Sequence, residues 1–212
     1  MCIRDREYCL FYFLIGSYLL GSISSAIIIC KMCNLPDPRT KGSKNPGATN
    51  VLRIGGKFVA AFVLIFDGLK GAVPVLLAHY FGYDLFDLTI ILLFAFLGHV
   101  FPIYYGFKGG KGVATYLGGL IGLSFFVGLT FSIIWLIVAK VMKVSSIAAL
   151  TATVLSPIYF YFITTHDVRA TMVIFLINLF IYFTHRENIR RIMNGEEAVS
   201  YTHLTLPTIR SV

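Results

Sequence analysis

Long stretches without a single charge dominate this chain and leave it few ways to fold. Leu10–Cys30 runs 21 residues, Val113–Ala139 27, Val144–Thr165 22 and Ala170–Thr184 15. Phe58–Phe81 is interrupted only by Asp67, Lys70 and His79, and Leu88–Phe107 holds only His99. About 20 apolar residues cross a bilayer as a helix, so the pattern predicts an all-α, polytopic integral membrane helix bundle. Charged residues make up 13% of the 212, against about 25% in soluble domains. That excludes an independently folding soluble enzyme and a disordered chain. The net charge of +8 sits in short clusters between apolar runs, which is how a membrane protein distributes charge, so no nucleic-acid partner is expected.

Topology follows from the lysines and arginines. Of 18, six lie in Lys31–Lys57, two in Lys108–Lys111, two at Lys140 and Lys143, and three in Arg186–Arg191. Those clusters belong on the cytoplasmic side. The connections near Gly82–Asp87 and His166–Arg169 carry Asp84, Asp87 and Asp167 against one arginine and read as outside. With Lys108–Lys111 and Lys140–Lys143 both inside, Val113–Ala139 must enter and return as two halves of about 12–15 residues, each short for a full crossing. Gly118, Gly119, Gly122 and Gly128 supply close-packing faces and a place to turn. The count becomes seven membrane segments, one of them this short glycine-rich pair, with the N-terminus outside and the C-terminus cytoplasmic. The competing arrangement, one long tilted helix, puts two lysines on the wrong side.

Cys2, Cys9, Cys30 and Cys33 make no secreted disulfide framework. Cys30 and Cys33 form a C-x-x-C without a second ligand pair, which lacks the ligand count of a metal site. Met1–Glu7 and Ser200–Val212 lack span character. They are expected to be non-native or disordered tails, leaving one membrane-embedded domain over residues 8–199.

Three polar segments fall on one side. The first, Asp37–Arg53, reads DPRTKGSKNPGATNVLR and interleaves Arg39, Lys41, Lys44 and Arg53 with Ser43, Asn45, Thr49, Asn50, Gly42 and Gly47. Such a donor-rich run suits an anionic ligand; a solvated positive-inside loop is usually shorter and less glycine-rich. The second, GFKGGKG at Gly106–Gly112, places Lys108, Gly109, Gly110, Lys111 and Gly112 before a helix, where amides and the helix dipole favour an anion. It is not a Walker A loop, since Gly112 stands where Ser or Thr would hold magnesium. The third, HRENIRRIMNGEE at His185–Glu197, sets His185 and Asn188 on one helical face. A basic amphipathic end lying on headgroups would look similar, but its coincidence with two other donor-rich segments favours a site.

Within the second span, Asp67 and Lys70 are i,i+3 neighbours. Ionisable groups at that depth are expensive and point to function, or to an ion pair holding helices near the site. His99 reads as a satisfied helix–helix donor. His79 and Asp84 fit the H-x4-D pattern of acyl-CoA-dependent acyltransferases, but they fall on the outer side without companion motifs.

In the order and spacing of these segments the chain resembles the bacterial acyl-phosphate:glycerol-3-phosphate acyltransferase family (PlsY). The landmarks are Gly21-Ser22, DPRTKGSKNPGATNVLR, DGLKG at Asp67–Gly71, GHVFPIYYGFKGGKGVAT at Gly98–Thr115, and HRENIRRIMNGEE, within Leu10–Glu197. The resemblance implies seven membrane segments with three cytoplasmic motif loops in a bacterial inner membrane. It also implies acyl transfer from acyl phosphate to glycerol 3-phosphate, giving lysophosphatidic acid and phosphate. Carried over by motif, Ser43, Arg53, Lys111, His185 and Asn188 become the catalytic set. The Gly109-Gly110 amides with Lys111 hold one phosphate, Arg53 and Ser43 a second, and His185 and Asn188 orient the hydroxyl and developing oxyanion. Arg39, Gly42, Asn45, Thr49, Asn50, Lys108 and Gly112 complete the binding loops, with Asp67 and Lys70 in support. No metal or nucleotide cofactor and no obligate protein partner are implied. The chain departs from the family at Lys44, where Gly is usual, and Pro46 removes an amide from an anion-binding loop.

An anion transporter would use the same basic loops but lacks donor-rich outer loops. A structural anchor leaves the three loops unexplained, and a CDP-alcohol phosphotransferase would require a paired-Asp metal motif.

Overall fold

A computed structural model describes residues 3–197. The expected C-terminal tail lies outside the described residues, as do the first two residues. The chain forms α1 (Ile3–Gly21), α2 (Ser25–Met32), α3 (Ala48–Tyr80), α4 (Leu85–Val100), α5 (Val113–Leu123), α6 (Phe125–Met142), α7 (Ser145–Ile163), α8 (Val168–Thr184) and α9 (Arg186–Met193), with a 3-10 turn at Ile103–Tyr105. Helix α1 therefore runs back through residues 3–7, set aside above as tail. Helices α3, α6, α7 and α4 with its 3-10 extension are long and apolar enough to cross a bilayer, and the bent pairs α1/α2 and α8/α9 bring that number to six. Large apolar side chains such as Phe58, Phe125 and Leu136 cover the outside, as a lipid-facing surface requires.

The run Val113–Ala139 does break, but unevenly. Ser124 adopts an extended backbone (φ −161°, ψ 123°), ending α5 after 11 residues and starting α6, which continues for 18. The turn falls at a serine; the glycines serve packing. The carbonyl of Gly68 on α3 lies where a Gly118 Cβ would stand, and the carbonyl of Thr115 where a Gly71 Cβ would stand, so α3 and α5 meet backbone to backbone. Tyr116 of α5 meets Phe131 of α6 edge to face at 5.8 Å, on opposite sides of the Ser124 turn, making α5 and α6 an antiparallel hairpin.

Two breaks shape the site. Between α1 and α2 the carbonyl of Ile23 leaves its helix and receives Lys70 Nζ at 2.7 Å. Within α3, Gly56 takes φ 79° and ψ −177°, conformations a Cβ would resist. The kink separates a first segment carrying Thr49, Asn50 and Arg53 from the spanning segment carrying Asp67 and Lys70. Phe96, Tyr116, Leu120, Phe131, Phe160 and Ile174 fill the core between α4, α5, α6, α7 and α8.

Candidate active site

A cavity of about 440 Å³ joins the three polar segments. Its polar lining includes Ser43, Arg53, Lys111, His185 and Asn188, and its apolar lining Leu64, Leu117, Phe131 and Trp135. Gly42, Asn45, Thr49, Asn50, Gly112 and Asp67 also border it.

Asn50 organises the first loop. Its Nδ2 donates to the carbonyls of Pro38 at 2.8 Å and Lys41 at 3.0 Å, while Oδ1 accepts from the Ser43 amide at 2.9 Å. Its side chain therefore shapes the loop and is not open for ligand. Lys44 has φ 58°, so the position that glycine usually fills is left-handed, at about 1 kcal/mol for a side chain. Pro46 does not line the cavity, so its missing N–H removes no donor from the wall. Arg39 corrects the sequence reading. Its guanidinium grips Asp37 at 2.6 Å, away from the cavity, and this hydrogen bond holds the Asp37 carboxyl below its ordinary range.

The glycine loop also departs from expectation. The amides of Gly109 and Gly110 donate to the carbonyls of Val100 (3.2 Å) and His99 (3.1 Å) at the end of α4. They are occupied and cannot cradle a phosphate. Lys108 is exposed and outside the wall. Donors remain at Lys111 and at the start of α5, whose first amides lack intrahelical acceptors. Gly112 caps that helix at φ 82°, with the Phe96 ring where a Cβ would stand. Lys111 Nζ donates to Asn188 Oδ1. Burial, then the nearby Arg191 cation, pulls the amine down to about 8.

His185 is 3% exposed. Its Nδ1 lies 2.8 Å from the Ile181 carbonyl. A carbonyl only accepts, so Nδ1 carries the proton and Nε2 presents a lone pair. Burial, reinforced by Lys111, pulls the imidazole down to about 4, leaving it neutral near pH 7. His185 is thus an acceptor for a hydroxyl and not a donor to an oxyanion. Asn188 is committed at both ends, to Lys111 and, through Nδ2, to Glu197 Oε1 at 2.5 Å. Its oxygen positions Lys111, and the bond to Glu197 uses one of the two hydrogens on Nδ2.

Glu197, Ser146 and Arg191 were not singled out by the sequence reading. Glu197 Oε1 also accepts from Ser146 Oγ at 2.7 Å, and Oε2 from Arg191 Nε at 2.7 Å, tying the end of the third segment to the start of α7. The signal was partial: Glu197 closes the third polar segment, and Ser145-Ser146 opens an apolar helix.

At the deep wall, Asp67 and Lys70 form a buried pair at 2.7 Å, with Lys70 Nζ also 3.1 Å from His99 Nδ1. Lysine is the donor, so His99 accepts there, opposite to the role expected. Lys70 itself does not border the cavity. His79 and Asp84 also lie away from it, and Asp84 caps α4 by accepting from the Asp87 amide at 2.9 Å.

A family profile described as Glycerol-3-phosphate acyltransferase matches residues 11–195. A glycerol-3-phosphate acyltransferase of Ruthia magnifica subsp. Calyptogena magnifica is 60% identical over 87% of this chain and 93% of its own length. One of Thioalkalivibrio sulfidiphilus is 51% identical over 86% and 90%. The crystal structure of PlsY (YgiH), an integral membrane glycerol 3-phosphate acyltransferase, in its glycerol 3-phosphate form is similar at TM-score 0.85 and 39% identity, covering 90% of this chain and 95% of that one. Its lysophosphatidic acid form gives 0.83 and 38%. By profile, by relatives and by fold, this chain belongs to the glycerol-3-phosphate acyltransferase family.

Proposed function

We propose that the chain transfers a fatty acyl group from acyl phosphate to the 1-hydroxyl of glycerol 3-phosphate, giving lysophosphatidic acid and inorganic phosphate. The observation that carries this reading is the composition of one cavity, whose lining combines Arg53 and Lys111 with Leu64, Leu117, Phe131 and Trp135. A substrate pair with two phosphates and one long tail fits such a wall. The solved relatives' glycerol 3-phosphate and lysophosphatidic acid forms support the same acceptor and product.

The chemistry follows from what each group can do. Acyl phosphate is a mixed anhydride whose leaving group already departs easily, so positioning and charge stabilisation suffice. Arg53 and Ser43 hold one phosphate; Lys111 and the start of α5 hold the other. His185 Nε2 accepts a hydrogen bond from the 1-hydroxyl and aims its oxygen at the acyl carbon. The new ester C–O bond forms as the bond from carbon to the phosphate oxygen breaks. His185, held near 4, is too weak a base to keep the hydroxyl proton, which leaves on the departing phosphate. In the membrane the domain has seven segments, α1/α2 counting as one and α5 as the short one. Its N-terminus is outside, and the cavity opens to the cytoplasmic face of a bacterial inner membrane.

Purified protein in lipid, given glycerol 3-phosphate with either palmitoyl phosphate or palmitoyl-CoA, tests the donor directly. Phosphate release coupled to lysophosphatidic acid formation is expected with palmitoyl phosphate alone. Equal turnover with palmitoyl-CoA would sink the proposal.

A further inference from the structure

Arg53, Lys111 and Arg191 on the cavity wall suit phosphate, whereas a glycerol phosphate brings two hydroxyls that must also donate. Three carboxylates border the cavity: Asp67, Glu196 and Glu197. Glu197 is occupied by Ser146, Asn188 and Arg191. Glu196 is exposed. Asp67 is 2% exposed and lies at the deep wall. Lys70 Nζ pairs with its Oδ1 at 2.7 Å, yet at an angle that leaves Oδ1 without a hydrogen bond among the described residues. A carboxylate offers about four lone-pair positions, so this ion pair leaves acceptor capacity open. Lys70 turns its ammonium to the carboxylate, the Ile23 carbonyl and His99 Nδ1, and it stays off the cavity wall. Of the pair, Asp67 borders the cavity and Lys70 does not.

Placement adds a second constraint. The backbone next to Asp67 lies against α5, with Gly68 at Gly118 and Gly71 at Thr115. Asp67 thus sits beside the first turns of α5, close to the helix start that follows Lys111. Asp67 and His185 border the same cavity as that helix start, so glycerol carbons attached to a phosphate held there would have both within the same space. The 1-hydroxyl goes to His185 Nε2; the 2-hydroxyl then has Asp67.

We propose that Asp67 accepts a hydrogen bond from the 2-hydroxyl of glycerol 3-phosphate and so sets the preference for this acceptor over phosphates lacking a donor at C2. The proposal rests on the acyl-transfer reading above. It makes Asp67 a substrate-binding residue, with Lys70 its positioning partner.

The test compares glycerol 3-phosphate with 3-hydroxypropyl phosphate, its 2-deoxy analogue, using palmitoyl phosphate as donor. In the wild type the analogue is expected to fall about 10- to 150-fold in kcat/KM, as for a lost hydrogen bond to a charged group. In an Asp67→Leu/Lys70→Met double variant, which leaves no unpaired buried charge, the two acceptors should agree within about threefold. The single Asp67→Asn variant preserves shape, should narrow the ratio, and decides the matter if the double variant does not fold. A wild type that uses both acceptors equally overturns the proposal, as does a folded variant that keeps the full ratio. A wild type inactive on glycerol 3-phosphate with palmitoyl phosphate overturns the acyl-transfer reading itself.

Discussion

Lys111 should impose an alkaline limit on catalysis well below that of an ordinary lysine. Partial burial of its ammonium, then the nearby Arg191 cation, outweighs Glu197 and Glu187, and the amine falls from 10.5 to about 8. About nine-tenths is then charged at pH 7 and about one-tenth at pH 9. The charged form makes a charge-assisted contact to phosphate worth about 1.5–3 kcal/mol, or about 10- to 150-fold in kcat/KM. The expected profile for glycerol 3-phosphate is level near pH 7 and descends through about pH 8. Substrate phosphate restores the charge on binding, so the descending limb of kcat should lie higher than that of kcat/KM. Stability moves the other way. The folded value lies below the unfolded one, so between about pH 8 and 10.5 the unfolded chain binds the extra proton and folding gains from rising pH. Activity loss there is not unfolding, and a thermal melt across the same range separates the two. Lys111→Arg keeps its charge throughout and should remove the limb at lower overall efficiency. A wild-type profile flat from about pH 6 to 10, or a Lys111→Arg profile with the same limb, would refute the reasoning.

Gly118→Ala should cost folded protein, because the new methyl meets the Gly68 carbonyl; the yield of monodisperse protein in detergent measures it. His185→Ala should lower kcat more than it raises either KM, since the lost acceptor acts on the attacking hydroxyl, while His79→Ala, remote from the cavity, should leave kinetics unchanged. Glu197→Ala leaves Asn188, Ser146 and Arg191 without their shared acceptor, which should lower unfolding free energy by about 1–3 kcal/mol and weaken substrate binding. Single cysteines near Asp84 and Asp167 should label from outside intact cells, and ones near Lys44, Lys108, Lys143 and Asn194 should not; outside labelling near Lys143 would argue against the entering-and-returning pair.

The apolar helices were legible because most run through stretches with little or no charge, and the three polar segments because a mostly apolar chain leaves few places for donors. Individual roles were less so. Asn50 and Asn188 carry the same side chain in motif segments, but hydrogen bonding makes one a loop staple and the other a lysine holder. Gly109 and Gly110 look like a phosphate loop until the end of α4 supplies the carbonyls that take their amides. Arg39 looks like Arg53 until Asp37, two residues away, closes on it. Each misreading has one cause: sequence shows which groups can donate, and tertiary contacts decide which donors are still open.

The short helix gives the proposed reaction a place where a water-soluble and a lipid substrate can meet. Helices α5 and α6 diverge from Ser124 as an antiparallel pair, but α5 has 11 residues and α6 has 18. At 1.5 Å per residue the start of α5 falls about 10 Å short of the far end of α6. Trp135, ten residues from the start of α6, borders the same cavity as Gly112 and lies roughly level with the α5 start. The shortfall is the cavity. It sets the positive end of a helix, with Lys111, below the level at which α6 ends, where anion attraction is stronger than in bulk water. Leu64 is 49% exposed on the outside of α3 and also borders the cavity, which gives the acyl chain of the proposed reaction a lateral route separate from that of the phosphate. A full-length α5 would fill that space with its own first two turns, and lengthening the helix by inserting residues after Gly112 should abolish turnover while the rest of the bundle still folds.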